Sequence, residues 1–151
     1  MLDGRELWPV NGTAFRIVLL TSALSGGCSD VYESRYSNRD EAVRDGAIAR
    51  GWIPDILPAD ALDIREVHDI DTNQTWCCFT TPGGVAQVRS RLEQAGAKQE
   101  RFPWSPEIRA PAWWPETPPD ERHSLREVDG SIVRIRMNVG TKKVCFSRGI
   151  A

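Results

Sequence analysis

From Ser131 to Val139 the chain changes character with a period of two. Val133, Ile135, Met137 and Val139 fall on one side, and Ile132, Arg134, Arg136 and Asn138 on the other. Successive side chains of a strand point to opposite faces, so this pattern demands a strand with one face buried and one wet. Asp129-Gly130 before it and Gly140-Thr141 after it are turn chemistry, which predicts a meander of Leu125–Val128, Ser131–Val139 and Lys142–Ser147. A second block repeats the logic. Ala61–Ile70 alternates, Asp71-Thr72-Asn73-Gln74 turns, and Thr75–Thr81 is rich in β-formers.

Helical signals are fewer. Ser37 can cap a helix whose first turn holds Asp40 and Glu41; Gly51 ends it and Pro54 blocks continuation. Trp52, Ile53, Ile56 and Leu57 follow as an apolar patch that would seal this helix to the sheet. Val85–Ala95 places Val85, Val88, Leu92 and Ala95 on one side, with Gly96 as its stop. Glu100–Arg122 is dense in proline and tryptophan and reads as an irregular loop. The expected fold is α+β: an antiparallel sheet of about five strands with two helices packed on one face, plus the Pro/Trp-rich loop. Residues 1–27 read as a signal-like segment, 28–36 as a tether and 37–148 as one head domain.

At 151 residues, 40% hydrophobic and 26% charged, the chain has the length and composition of one soluble domain. Its net charge of −2 gives no electrostatic reason to bind nucleic acid. The cysteines are Cys28, Cys77, Cys78 and Cys145, with no CxxC, which argues against a zinc site. Adjacent Cys77 and Cys78 point to opposite faces of a strand. A bond from Cys145 to one of them and buried free thiols are both compatible with the sequence.

Phe15–Asp30, FRIVLLTSALSGGCSD, joins a basic residue, a short apolar run, small residues and a cysteine. Ile17–Leu24 fits a secretory apolar core and is too short to span a bilayer. The stretch resembles bacterial lipoprotein signals, in which the cysteine after the cut carries lipid; here that residue is Cys28. It departs from their Leu-small-small-Cys box by one place, since Leu24 lies four residues before Cys28. Residues 1–16 also lack net positive charge, and a start at Val10 would leave a compact signal whose only charge is Arg16. By the sorting rule of such lipoproteins, Ser29 implies the outer membrane.

Gly51–Phe79 carries a second resemblance. The ending Gly51-Trp52-Ile53-Pro54, the Leu57-Pro58 turn, Ile64, the run His68-Asp69-Ile70-Asp71-Thr72-Asn73, Trp76 and Phe79 resemble the YbbD head domain of small bacterial predicted lipoproteins. The likeness is expected to extend over Tyr36–Ser147. It implies a fold and a compartment, and transfers no catalytic residues.

Three constellations could bear function. Asp69, Asp71 and Asn73 have the spacing that opens a calcium loop, but Gln74 stands where glycine is needed and Thr80 where the closing glutamate is needed. A turn is the better reading, and no metal or other cofactor is expected. Glu66 and His68 share a strand face and could tune an acid–base pair, or simply satisfy each other. Phe102, Trp104, Trp113 and Trp114 could stack on sugars or a partner, or cover one side of the core. The expected function is an envelope-anchored, non-enzymatic interaction or structural module, facing the periplasm and held by lipid at Cys28, with an envelope protein or glycan as partner. The alternatives are a glycan- or peptide-binding module using Trp104, Trp113 and Trp114, with His68, Asp69 and Asp71 as further contacts, and a small enzyme around Glu66, His68 and Asp69.

Overall fold

The structure, a computed structural model, describes residues 30–101 and 110–149. Cys28 and Trp104 therefore lie outside the described residues. The elements are β1 (Val31–Asn38), α1 (Arg39–Arg44), β2 (Leu62–Asp69), β3 (Gln74–Thr80), α2 (Ala86–Gln94), β4 (Lys98–Gln99), β5 (Glu121–Arg126), β6 (Ile132–Asn138) and β7 (Lys143–Gly149). They form one seven-stranded antiparallel sheet in the order β1-β2-β3-β7-β6-β5-β4.

This overturns the expected α+β fold of five strands with two packed helices: the domain is mostly sheet, with two short helices. The segment read as a tether supplies β1, which pairs with β2 along its length, Tyr32 opposite His68 and Tyr36 opposite Ile64. Its signal is weak because Tyr36 is the only one of its eight residues that is buried. Lys98–Gln99 adds the short β4, and β5 begins at Glu121, inside the stretch read as loop.

The first helix is shorter than its sequence pattern. Asn38, not Ser37, caps it, accepting from the Glu41 N–H at 3.0 Å, while Glu41 reaches back to accept from the Ser37 N–H at 2.7 Å. Gly46, at φ 79°, then ends it. The Ala47 N–H bonds to the Ala42 carbonyl and the Gly46 N–H to the Val43 carbonyl, the pair of bonds that closes a helix around a left-handed residue. The same closure recurs at Gly96, where the end of α2 was expected.

Alternation along the strands divides the core in two. One face carries Ile64, Cys77, Phe79, Phe146, Val144, Ile135 and Met137, packed under Val88 and Leu92 of α2 and under Ile53 and Leu57. The other carries Val67, Trp76, Cys78 and Cys145, covered by Trp114 and flanked by Trp113 and Ala110. The second face is therefore not fully wet. Arg136, expected on an exposed face, is buried, with its guanidinium 5.4 Å from the Trp114 ring.

Cys78 and Cys145 are cross-strand partners on β3 and β7 and form a disulfide. Cys77, on the opposite face, is a buried free thiol. The bond closes a sequence separation of 67 residues, and constraint of so long a loop in the unfolded chain stabilises by about 2–4 kcal/mol. Replacing both cysteines by alanine should lower the unfolding free energy by that amount in a denaturant titration. Reductant should then shift the wild-type midpoint and leave the variant unmoved. A wild-type protein indifferent to reductant would contradict the bond.

Candidate functional site

Glu66 and His68 sit two residues apart on β2 and point to the helix-covered face. Glu66 is fully buried and His68 nearly so. Glu66 Oε1 lies 2.8 Å from His68 Nδ1. Trp52, from the turn after the residues 45–51 segment, stacks on the imidazole with centroids 3.9 Å apart. Tyr32 of β1 is also stacked with it, at 5.4 Å. The Arg50 guanidinium lies 3.8 Å over the Trp52 ring and is paired with Asp45 at 2.8 Å. The Tyr36 hydroxyl donates to the same Asp45 oxygen at 2.8 Å. A continuous chain of contacts thus runs from Tyr36 through Asp45, Arg50 and Trp52 to His68 and Glu66.

Burial sets the charge state. Desolvation raises the Glu66 carboxyl to about 8, with Asp45 adding to the rise and Arg50 opposing it. Burial, then Arg50, lowers His68. At neutral pH burial therefore keeps both groups uncharged, a carboxylic acid sharing one hydrogen bond with a neutral imidazole at Nδ1. Glu66 Oε2 and His68 Nε2 are buried with no hydrogen-bond partner. Cys77 lies directly opposite Glu66 on β3. Burial, reinforced by Glu66, pushes its thiol well above the ordinary range. Cysteine, histidine and glutamate are thus gathered in one place, but the thiol is held protonated and sealed, the reverse of an activated nucleophile.

The remaining sequence-predicted residues do not converge on this pair. Asp69 stabilises the β2–β3 turn, its Oδ1 accepting from the N–H groups of Asp71 at 3.0 Å and Thr72 at 3.2 Å, with Asn73 left-handed at φ 52°. Asp71 is exposed within that turn. Among the described residues no group of three acidic, histidine or cysteine side chains is placed to hold a metal. Trp114 is buried and Trp113 half-buried on the other face of the sheet, with the Arg65 guanidinium 4.7 Å over the Trp113 ring. The open depressions beside Asp55, Gln87 and Arg91 and beside Arg35, Glu41 and Asp45 include neither Glu66 nor His68.

Sequence reasoning found the Glu66–His68 pair but missed what encloses it. Trp52 was legible only as part of an apolar patch, and Tyr32 lay in the segment read as tether. Nothing in local periodicity links positions so far apart in the chain.

With this geometry in place, the relation to known proteins is specific and short. Residues 30–80 match the YbbD head domain family. The matched segment runs from the start of β1 to the end of β3 and includes Tyr32, Trp52, Glu66 and His68. It stops before α2, so the expected continuation to Ser147 lies outside it. No curated protein and no solved structure matches the chain. The match defines a domain type and assigns no activity.

The buried pair makes stability depend on pH in a fixed direction. Glu66 is raised from the ordinary carboxylate range to about 8, so the folded chain holds a proton that the unfolded chain releases, and stability falls as pH rises between those values. His68 is lowered and acts in the opposite sense, but only below its ordinary value of 6.5. From pH ~6.5 to ~8 the carboxyl acts alone, and the expected loss is about 2 kcal/mol. Denaturant unfolding at the two ends of that interval should show the loss in wild type and its absence in Glu66→Gln. Equal slopes in the two proteins would refute the assignment.

Proposed function

We propose that this chain is an envelope lipoprotein, anchored by lipid at Cys28, whose globular part serves as a non-enzymatic interaction or structural module. The observation that carries the compartment is the Cys78–Cys145 disulfide. Such bonds persist in oxidising compartments, among them the bacterial periplasm, and are rare in the cytosol. The signal-like order of Phe15–Asp30 and the YbbD head domain match support the same reading. On this reading the domain faces the periplasm, at the outer membrane by the residue after the cysteine. Its partners are the membrane and an envelope protein or glycan, not nucleic acid.

The non-enzymatic part rests on the state of the acid–base pair. A general acid or base must reach a substrate proton. Glu66 and His68 are instead closed in beneath Trp52, away from any substrate.

Metabolic labelling with a fatty acid tests the anchor. Wild type should incorporate label into the membrane fraction, and Cys28→Ser should incorporate none and appear in the soluble fraction. Equal labelling of the two would overturn the proposal.

A further inference from the structure

The two ends of the sheet differ. β4 is two residues long and offers almost no template. β1 is eight residues long and, among the described residues, nothing pairs with its outer side. Val31 and Tyr32 are exposed on it. Long open edges recruit further strands unless something blocks them.

The direction of each backbone group on β1 follows from the ladder. Ile70 donates its N–H to the Asp30 carbonyl at 3.0 Å, one step before the Val31–Asp69 pair. Hydrogen-bonded pairs alternate along an antiparallel ladder. Tyr32, Ser34 and Tyr36 therefore turn their backbone groups to β2, while Val31, Glu33 and Arg35 turn theirs outward. The outward N–H of Ser37 is already taken by Glu41.

We infer that β1 pairs antiparallel with β1 of a second copy of this chain, in the register that sets Glu33 opposite the second copy's Arg35. Outward groups must meet outward groups, so the central registers place Glu33 opposite Glu33, Glu33 opposite Arg35, or Arg35 opposite Arg35. The first and last oppose like charges, which destabilises a cross-strand pair, and the middle one opposes unlike charges twice. It also brings Tyr32 beside the second copy's Tyr36 on the other face. The two-fold axis passes through Ser34, and the contact is isologous, so it closes at two copies. Glu33 already holds Arg35 at 3.1 Å and Arg65 at 2.8 Å within the chain. A second guanidinium from across the edge extends that cluster. This pairing stands independently of lipid at Cys28.

Cysteine cross-linking of the full-length chain tests the register. In it, Ser34 faces its own copy as a non-hydrogen-bonded pair, whose Cα atoms lie about 4.5 Å apart, within reach of a disulfide. Oxidation with copper phenanthroline, in a Cys28→Ser background that removes the N-terminal thiol, should convert Ser34→Cys to a dimer on a non-reducing gel and leave the Cys28→Ser parent a monomer. Glu33→Cys and Arg35→Cys should each self-link far less. Adding Glu33→Arg or Arg35→Glu to Ser34→Cys should abolish the dimer, and co-expressing those two variants should restore it, since every opposed pair is again unlike. Both charge positions are on the edge and outside the buried core, and unchanged thermal midpoints would show that the variants fold. Failure of Ser34→Cys to dimerise, self-linking of Glu33→Cys or Arg35→Cys as strong as that of Ser34→Cys, or a cross-link to a different protein would each overturn the inference.

Discussion

Everything in this sheet depends on the pairing of β3 with β7. These strands come from opposite halves of the chain, and their ladder joins the three-stranded N-terminal block to the four-stranded C-terminal block. Phe79 and Val144 meet across it on one face, and Cys78 and Cys145 are bonded across it on the other. Both hydrophobic clusters are built around that ladder. Each block alone would expose half of each cluster, and small sheets with so little buried area are marginal in water. Ladder and disulfide therefore act together: one brings distant strands into register, the other removes entropy from the chain when they part.

The individual strands were legible because alternation is a local signal. Val133, Ile135 and Met137 fall where the pattern puts them, fully buried. Strand order was not legible, because it is set by which apolar face meets which, and that information is not local. β1 escaped for a related reason. Its polar face carries Glu33 and Arg35, and on the other face only Tyr36 is buried, so its composition matches that of an exposed tether. The first helix is capped one residue later than its pattern puts it and is shorter, since a glycine inside a helical pattern does not announce whether it will turn left-handed. Gly46 does.

The candidate site divides in the same way. Glu66 and His68 lie two apart on one strand, so alternation alone brings them together. What closes the pair off from solvent is Trp52, which reaches it from a turn, and Tyr32, which reaches it from the edge strand. Cys77 shows the same contrast. It and Cys78 are neighbours in sequence, yet the pleat assigns one to a sealed apolar layer and the other to a cross-link. Their adjacency carries no joint chemistry; each answers to its own face of the sheet.

The loop that the disulfide closes runs from Cys78 to Cys145 and contains α2, the proline- and tryptophan-rich stretch, β5 and β6. A protease that cuts anywhere inside this span produces two polypeptides that remain covalently joined through the centre of the sheet. Cleavage in the stretch around Trp113 and Trp114 would leave the β3–β7 ladder, the open β1 edge and the sealed Glu66–His68 pair in one particle. In a compartment exposed to proteases, the domain can lose the continuity of its backbone and still keep its shape.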